Sequence, residues 1–176
     1  MSLFNITDFS KIVFHDIFSC GEVTTFCSFN DYYPNKVIFD MYTYQGTLLY
    51  KPRKPSVGYI NAEFRDNHIY IIDCRSIIEN NGNGKKMFYN FLKCIIFVNE
   101  AYPLSKMCGF LSPKDFDDWN KLFRFYRTLG EYIKTSTDLS INLDFQLRDY
   151  SISKFTSNLE RLQNERIYFD IYLNYQ

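Results

Sequence analysis

The chain has 176 residues, 20 basic and 20 acidic side chains, 46% hydrophobic and 19% aromatic content. This suits one globular domain with a sizeable core and lacks the positive excess of a dedicated nucleic-acid binder. The cysteines Cys20, Cys27, Cys74, Cys94 and Cys108 are odd in number and show no C-x-x-C spacing, and only His15 and His68 are histidines, so a disulfide framework, a zinc site and a histidine-rich metal cluster are all unexpected.

Along the chain, apolar spacing over Phe9 to Phe18 predicts a helix closed by Gly21, and Val23 to Phe29 predicts a strand. Tyr33-Pro34-Asn35 marks a turn, with strands expected over Val37 to Tyr44 and Thr47 to Tyr50. Gly58 to Arg65 and His68 to Arg75 read as a hairpin around Asp66-Asn67, residues that tolerate the positive φ of a tight turn. A packed helix is predicted from Gly84 to about Tyr102, with Met87, Phe91, Cys94, Ile95 and Val98 on one face. Lys106 to Leu111 reads as a short strand. Ser112-Pro113-Lys114-Asp115 then starts a helix carrying Trp119, Leu122, Phe123, Tyr126 and Leu129, capped by Gly130. Beyond it, Tyr132 to Thr135 is expected as a strand, Ser151 to Asn164 as a helix and Ile167 to Leu173 as a closing strand. The start of the chain does not read as a signal peptide, and the longest apolar run, Cys94 to Val98, is far too short to span a bilayer, so a soluble cytoplasmic protein is expected.

Between hairpin and helix lies Glu79-Asn80-Asn81-Gly82-Asn83-Gly84-Lys85-Lys86. Strand, glycine loop and helix N-terminus in that order build an anion site: glycine permits close backbone approach, and the first helical N–H groups face the ligand. A Walker loop is excluded, because Gly84-Lys85-Lys86 lacks its spacing and hydroxyl. The dinucleotide fingerprint is broken by Met87 in place of its third glycine. The arrangement of hairpin, x-x-G-x-G, helix, short strand and a helix ending in Phe125-Tyr126-Arg127-Thr128-Leu129-Gly130 resembles the GNAT superfamily of N-acetyltransferases. The likeness covers roughly Gly58 to Glu131. Glu79 stands where the family usually has Gln or Arg, Trp119 where an Asn is common, and Glu131 where Phe is usual.

The resemblance implies a GNAT-like α+β fold, with a mixed, mostly antiparallel central sheet splayed in a V and flanked by helices. It implies one domain over residues 1–176, with 1–57 and 131–176 shaping the acceptor side. Acetyl-CoA is the implied cosubstrate, without a metal. Its pyrophosphate would meet Glu79, Asn80, Asn81, Gly82, Asn83, Gly84 and Lys85, and its pantetheine arm the backbone near Ile72 and Cys74. Tyr126 matches the family tyrosine that protonates the leaving sulfur. His68 aligns with the glutamate base of some members, and Asp73 and Glu63 are further carboxylates on the hairpin. The expected acceptor is a primary amine on a small molecule or peptide. A homodimer is a compatible assembly, and neither nucleic acid nor membrane is expected as partner. The alternative is a non-catalytic member that serves as a CoA-binding or protein-interaction module.

Overall fold

A computed structural model of the chain describes residues 11–33, 36–78, 82–99, 103–111, 116–148 and 167–175. They form two compact units, residues 1–104 and 105–176. In the first unit, β1 (Ile12–Phe18), β2 (Gly21–Tyr33), β3 (Lys36–Gln45), β4 (Gly58–Arg65) and β5 (His68–Ser76) pair in sequence order as an antiparallel meander, followed by α1 (Asn83–Asn99). In the second, β6 (Lys106–Leu111), α2 (Phe116–Ser136), β7 (Ile141–Leu147) and β8 (Ile167–Tyr175) follow, with β8 pairing antiparallel to both β6 and β7. No helix among the described residues is long and apolar enough to cross a membrane.

The expected GNAT-like α+β fold, with helices flanking a V-splayed sheet, is corrected by this element content. The described residues carry eight strands and only two helices. From Ile12 to Phe18 the segment read as an N-terminal helix is strand β1, whose burial alternates residue by residue, as a pleated strand requires. The Phe, Tyr, Ile and Val that dominate the first half of the chain fit a pleated surface better than a helix. Residues 47–50 are not a strand, while β7 was not expected at all. The turn at Pro34-Asn35, the helix start at Ser112 to Asp115 and the helix over Ser151 to Asn164 lie outside the described residues.

The core of the first unit lies between α1 and one face of the meander. Phe39 at its centre meets Phe29 at 4.8 Å, Phe91 of α1 at 5.2 Å and Phe64 at 5.9 Å between ring centroids. Toward β1, α1 turns a polar stripe. Ser19 donates to Asn83 Oδ1 at 2.7 Å, Lys86 Nζ donates to the Ile17 carbonyl at 2.7 Å, and Asn90 Nδ2 donates to Asp16 at 2.8 Å. Lys93 Nζ lies 4.6 Å over the Phe14 ring. Partners falling from 19 to 14 as the helix rises from 83 to 93 set α1 antiparallel to β1.

In the second unit, α2 packs on β7 and β8. It runs on through Gly130 and Glu131 to Ser136, so Gly130 is no cap and Tyr132 to Thr135 is helical. A Cβ at Gly130 would lie 2.8 Å from the Leu143 carbonyl oxygen, so the glycine serves the approach of β7.

Candidate functional site

On the meander face turned away from α1, the register of β3, β4 and β5 sets six side chains in two rows. Asp40, Asn61 and Asp73 are cross-strand partners in one row, and Tyr42, Tyr59 and Arg75 in the next. A β-bulge makes this possible. Ala62 pairs with Ile71 and Asn61 with Asp73, leaving Ile72 unmatched. Simple alternation from His68 and Tyr70 would place Ile72 and Cys74 on this face; the extra residue places Asp73 and Arg75 there instead. Ile72 is left 51% exposed.

The six residues are knitted together. Asn61 Nδ2 donates to Asp40 Oδ1 at 2.5 Å and lies 3.3 Å from the Tyr42 hydroxyl. The rings of Tyr42 and Tyr59 lie 6.2 Å apart, and the Tyr59 hydroxyl donates to Asp73 at 2.8 Å. That hydrogen bond, helped by burial, holds the Tyr59 phenol above its ordinary pKa, because ionising it would put two negative charges together.

Beyond β5 the chain turns toward α1. Val57's carbonyl accepts from the Ile77 and Ile78 N–H groups, and the Ser76 hydroxyl donates to the Ile78 carbonyl. Gly82 has φ of 71°, a conformation costly for other residues, and its carbonyl takes the N–H groups of Lys85 and Lys86 at 3.1 and 3.3 Å, as a helix N-cap does. Nothing stands within 4 Å of where a Cβ on Gly82 would be, so there is room beside it. Asn83, the first residue of α1, is 1% exposed and accepts from Ser19, yet its Nδ2 has no partner. The helix start thus joins an open glycine, two lysines and a donor the chain does not satisfy. No family model, curated protein or solved structure matches the chain.

The expected site residues fall in three places. Ile72, Asp73 and Cys74 at the bulge, and Gly82, Asn83, Gly84 and Lys85 at the start of α1, bracket one short connection of the first unit. Glu79, Asn80 and Asn81 lie outside the described residues. Burial pushes the Cys74 thiol up to about 12, which removes it as a thiolate nucleophile at neutral pH. His68 sits at the opposite end of β5, half-buried beside Tyr70 and five residues from Asp73, roughly 16 Å along an extended strand. Glu63 is 2.5 Å from Lys36, an ion-pair role. Tyr126 belongs to the second unit, 6% exposed, with its ring stacked on Phe145 at 5.6 Å and against Phe169 at 4.7 Å. It borders a groove of about 450 Å³ between α2 and β7, together with Arg127, Glu131, Lys134 and Asp144.

Asp40, Tyr42, Tyr59, Asn61 and Arg75 were not foreseen. Each is an unremarkable strand residue on its own, and only the register reveals that they converge. Among the described residues, no group of three or more His, Cys, Asp or Glu side chains is placed to hold a metal ion.

Proposed function

We propose that this chain binds acetyl-CoA along the connection from the β5 bulge to the start of α1 and transfers the acetyl group to a primary amine. The observation that carries this reading is the bulge at Ile72 within β5, with Gly82 ten residues on in a left-handed conformation and an α1 start bearing Lys85 and Lys86. A bulge interrupts pairing and frees backbone groups for an extended arm, here the pantetheine. A helix N-terminus with a lysine in its first turn suits a pyrophosphate, and Lys86, bonded to the Ile17 carbonyl, adds its charge from the β1 side.

Direct transfer needs a neutral amine, whose nitrogen attacks the thioester carbonyl carbon while the C–S bond breaks and the thiolate takes a proton. Asp73 is the carboxylate nearest the bulge and accepts a proton-bearing hydroxyl from Tyr59. In this reading the pair relays the proton: the carboxylate draws it from the ammonium, and the phenol, held protonated, returns one to sulfur. Tyr126 is assigned no proton transfer, because its ring is enclosed by Phe145 and Phe169. The test is thiol release from acetyl-CoA with a panel of primary amines, comparing the wild type with Asp73→Asn and Tyr59→Phe. Amine-dependent release, reduced on the order of a hundredfold in Asp73→Asn with unchanged cofactor affinity, is expected. Cofactor binding without release for any amine would instead leave a CoA-binding module.

A further inference from the structure

The loop between β3 and β4, residues 46–57, returns over the polar face of the meander and leaves a cation there. It is pinned at both ends: the Leu48 N–H donates to Thr24 at 2.9 Å, the Ser56 hydroxyl accepts from the Gln45 N–H at 2.8 Å, and the Tyr44 hydroxyl donates to the Pro52 carbonyl at 2.9 Å. That last bond fixes the residue next to Lys51. Lys51 Nζ sits 3.8 Å from the centroid of the Tyr42 ring. Asp40, one row away on the same strand face, is held by Asn61 and attracts the ammonium. An aromatic face with a fixed carboxylate beside it is the chemistry that recognises an alkylammonium ion.

We propose that Asp40, Tyr42 and Tyr59 form a seat for an alkylammonium cation, which Lys51 occupies in cis as an exchangeable plug. The inference stands on the sheet face alone and does not depend on acetyl transfer. Three observations support it. Lys51 is the cation in place, so the seat's preference is read from its occupant. Its side chain is also a poor resident: partial burial draws its pKa below the ordinary lysine value despite the pull of Asp40, so holding it there costs hydration. Finally, Leu49 and Tyr50 immediately before it are 92% and 81% exposed, so neither of these side chains packs the stem of Lys51 in place.

The probe is n-butylammonium, the lysine side chain cut free of its backbone, with n-butanol as its uncharged counterpart. It is titrated by two-dimensional NMR into the whole chain without any cofactor. Lys51→Ala vacates the seat. If Lys51 fills it about nine-tenths of the time, removing the plug tightens n-butylammonium binding roughly tenfold, with shifts confined to β3, β4 and β5. Adding Tyr42→Ala to Lys51→Ala abolishes that binding, and n-butanol gives no response in any variant. Equal, weak affinity in wild type and Lys51→Ala would overturn the proposal, as would binding that survives loss of Tyr42. Unchanged amide dispersion in each variant certifies the fold, so a missing response counts against the seat. Because no acetyl-CoA is present, failure here leaves the acetyl-transfer reading standing, and the reverse also holds.

Discussion

At the scale of single residues, two positions in the second unit show how differently polar and small side chains act. Asp170 is 6% exposed and receives the Arg148 guanidinium, with Nε at 2.7 Å, while Lys106 Nζ lies 3.6 Å away. Burial alone would raise its pKa, but the hydrogen bonds from Arg148 and the Cys108 thiol outweigh that and hold the carboxyl below its ordinary value. A depressed folded-state pKa stabilises the fold above the unfolded value near 4, and this stability is lost as pH falls through the folded pKa. Asp170→Asn is therefore expected to cost about 2 kcal/mol at pH 7, with the deficit shrinking below about pH 4. The figure is modest because the Arg148 side chain is 41% exposed and water screens it. Urea denaturation across pH checks both sign and window. Gly130 carries no charge and yet is as constrained. Gly130→Ala sets a methyl group 2.8 Å from the Leu143 carbonyl oxygen and is expected to destabilise by about 1–3 kcal/mol, despite alanine's better helix propensity. A neutral or stabilising result would show that α2 and β7 are not in close contact there.

At the scale of elements, the first unit depends on α1 meeting the meander through Phe39 and Phe91. Phe39→Ala empties the centre of a cluster that includes Phe29 and Phe64 and is expected to cost about 3–5 kcal/mol in urea denaturation. Much of this packing was legible in the sequence, because a helix's apolar stripe is local: Met87, Phe91, Cys94, Ile95 and Val98 are all buried as the spacing predicts. The hairpin turn was legible for the same reason, since Asp66 and Asn67 adopt φ of 51° and 62°. The polar stripe of Asn83, Lys86, Asn90 and Lys93 was present at helical spacing too, but its meaning depended on β1, which was read as a helix. Ile141, Leu143, Phe145 and Leu147 recur with a period of two that fits a strand, yet β7 was not read from them. The bulge was not legible. A one-residue slip is decided by how β5 pairs with β4, and the same local sequence fits either register.

At the scale of the whole molecule, the chain divides into two compact units, each with antiparallel strands and one described helix. Sequence reasoning found the connection from β5 to α1, because glycine spacing before a helix is a local signal. It missed the grid of Asp40, Asn61, Asp73, Tyr42, Tyr59 and Arg75, because that grid exists only when three strands are in register. In the acetyl-transfer reading the cofactor lies on the connection and the relay pair Asp73 and Tyr59 on the grid, so cofactor binding is the central claim. The most direct test is isothermal titration of the full chain with acetyl-CoA, with Gly84→Asp as control. An aspartate in the first turn of α1 favours the helix dipole while repelling a pyrophosphate, so the variant keeps its fold and loses the ligand. Micromolar binding by the wild type, abolished in Gly84→Asp, is the predicted result. No heat at millimolar acetyl-CoA, or equal binding by both proteins, would contradict the account.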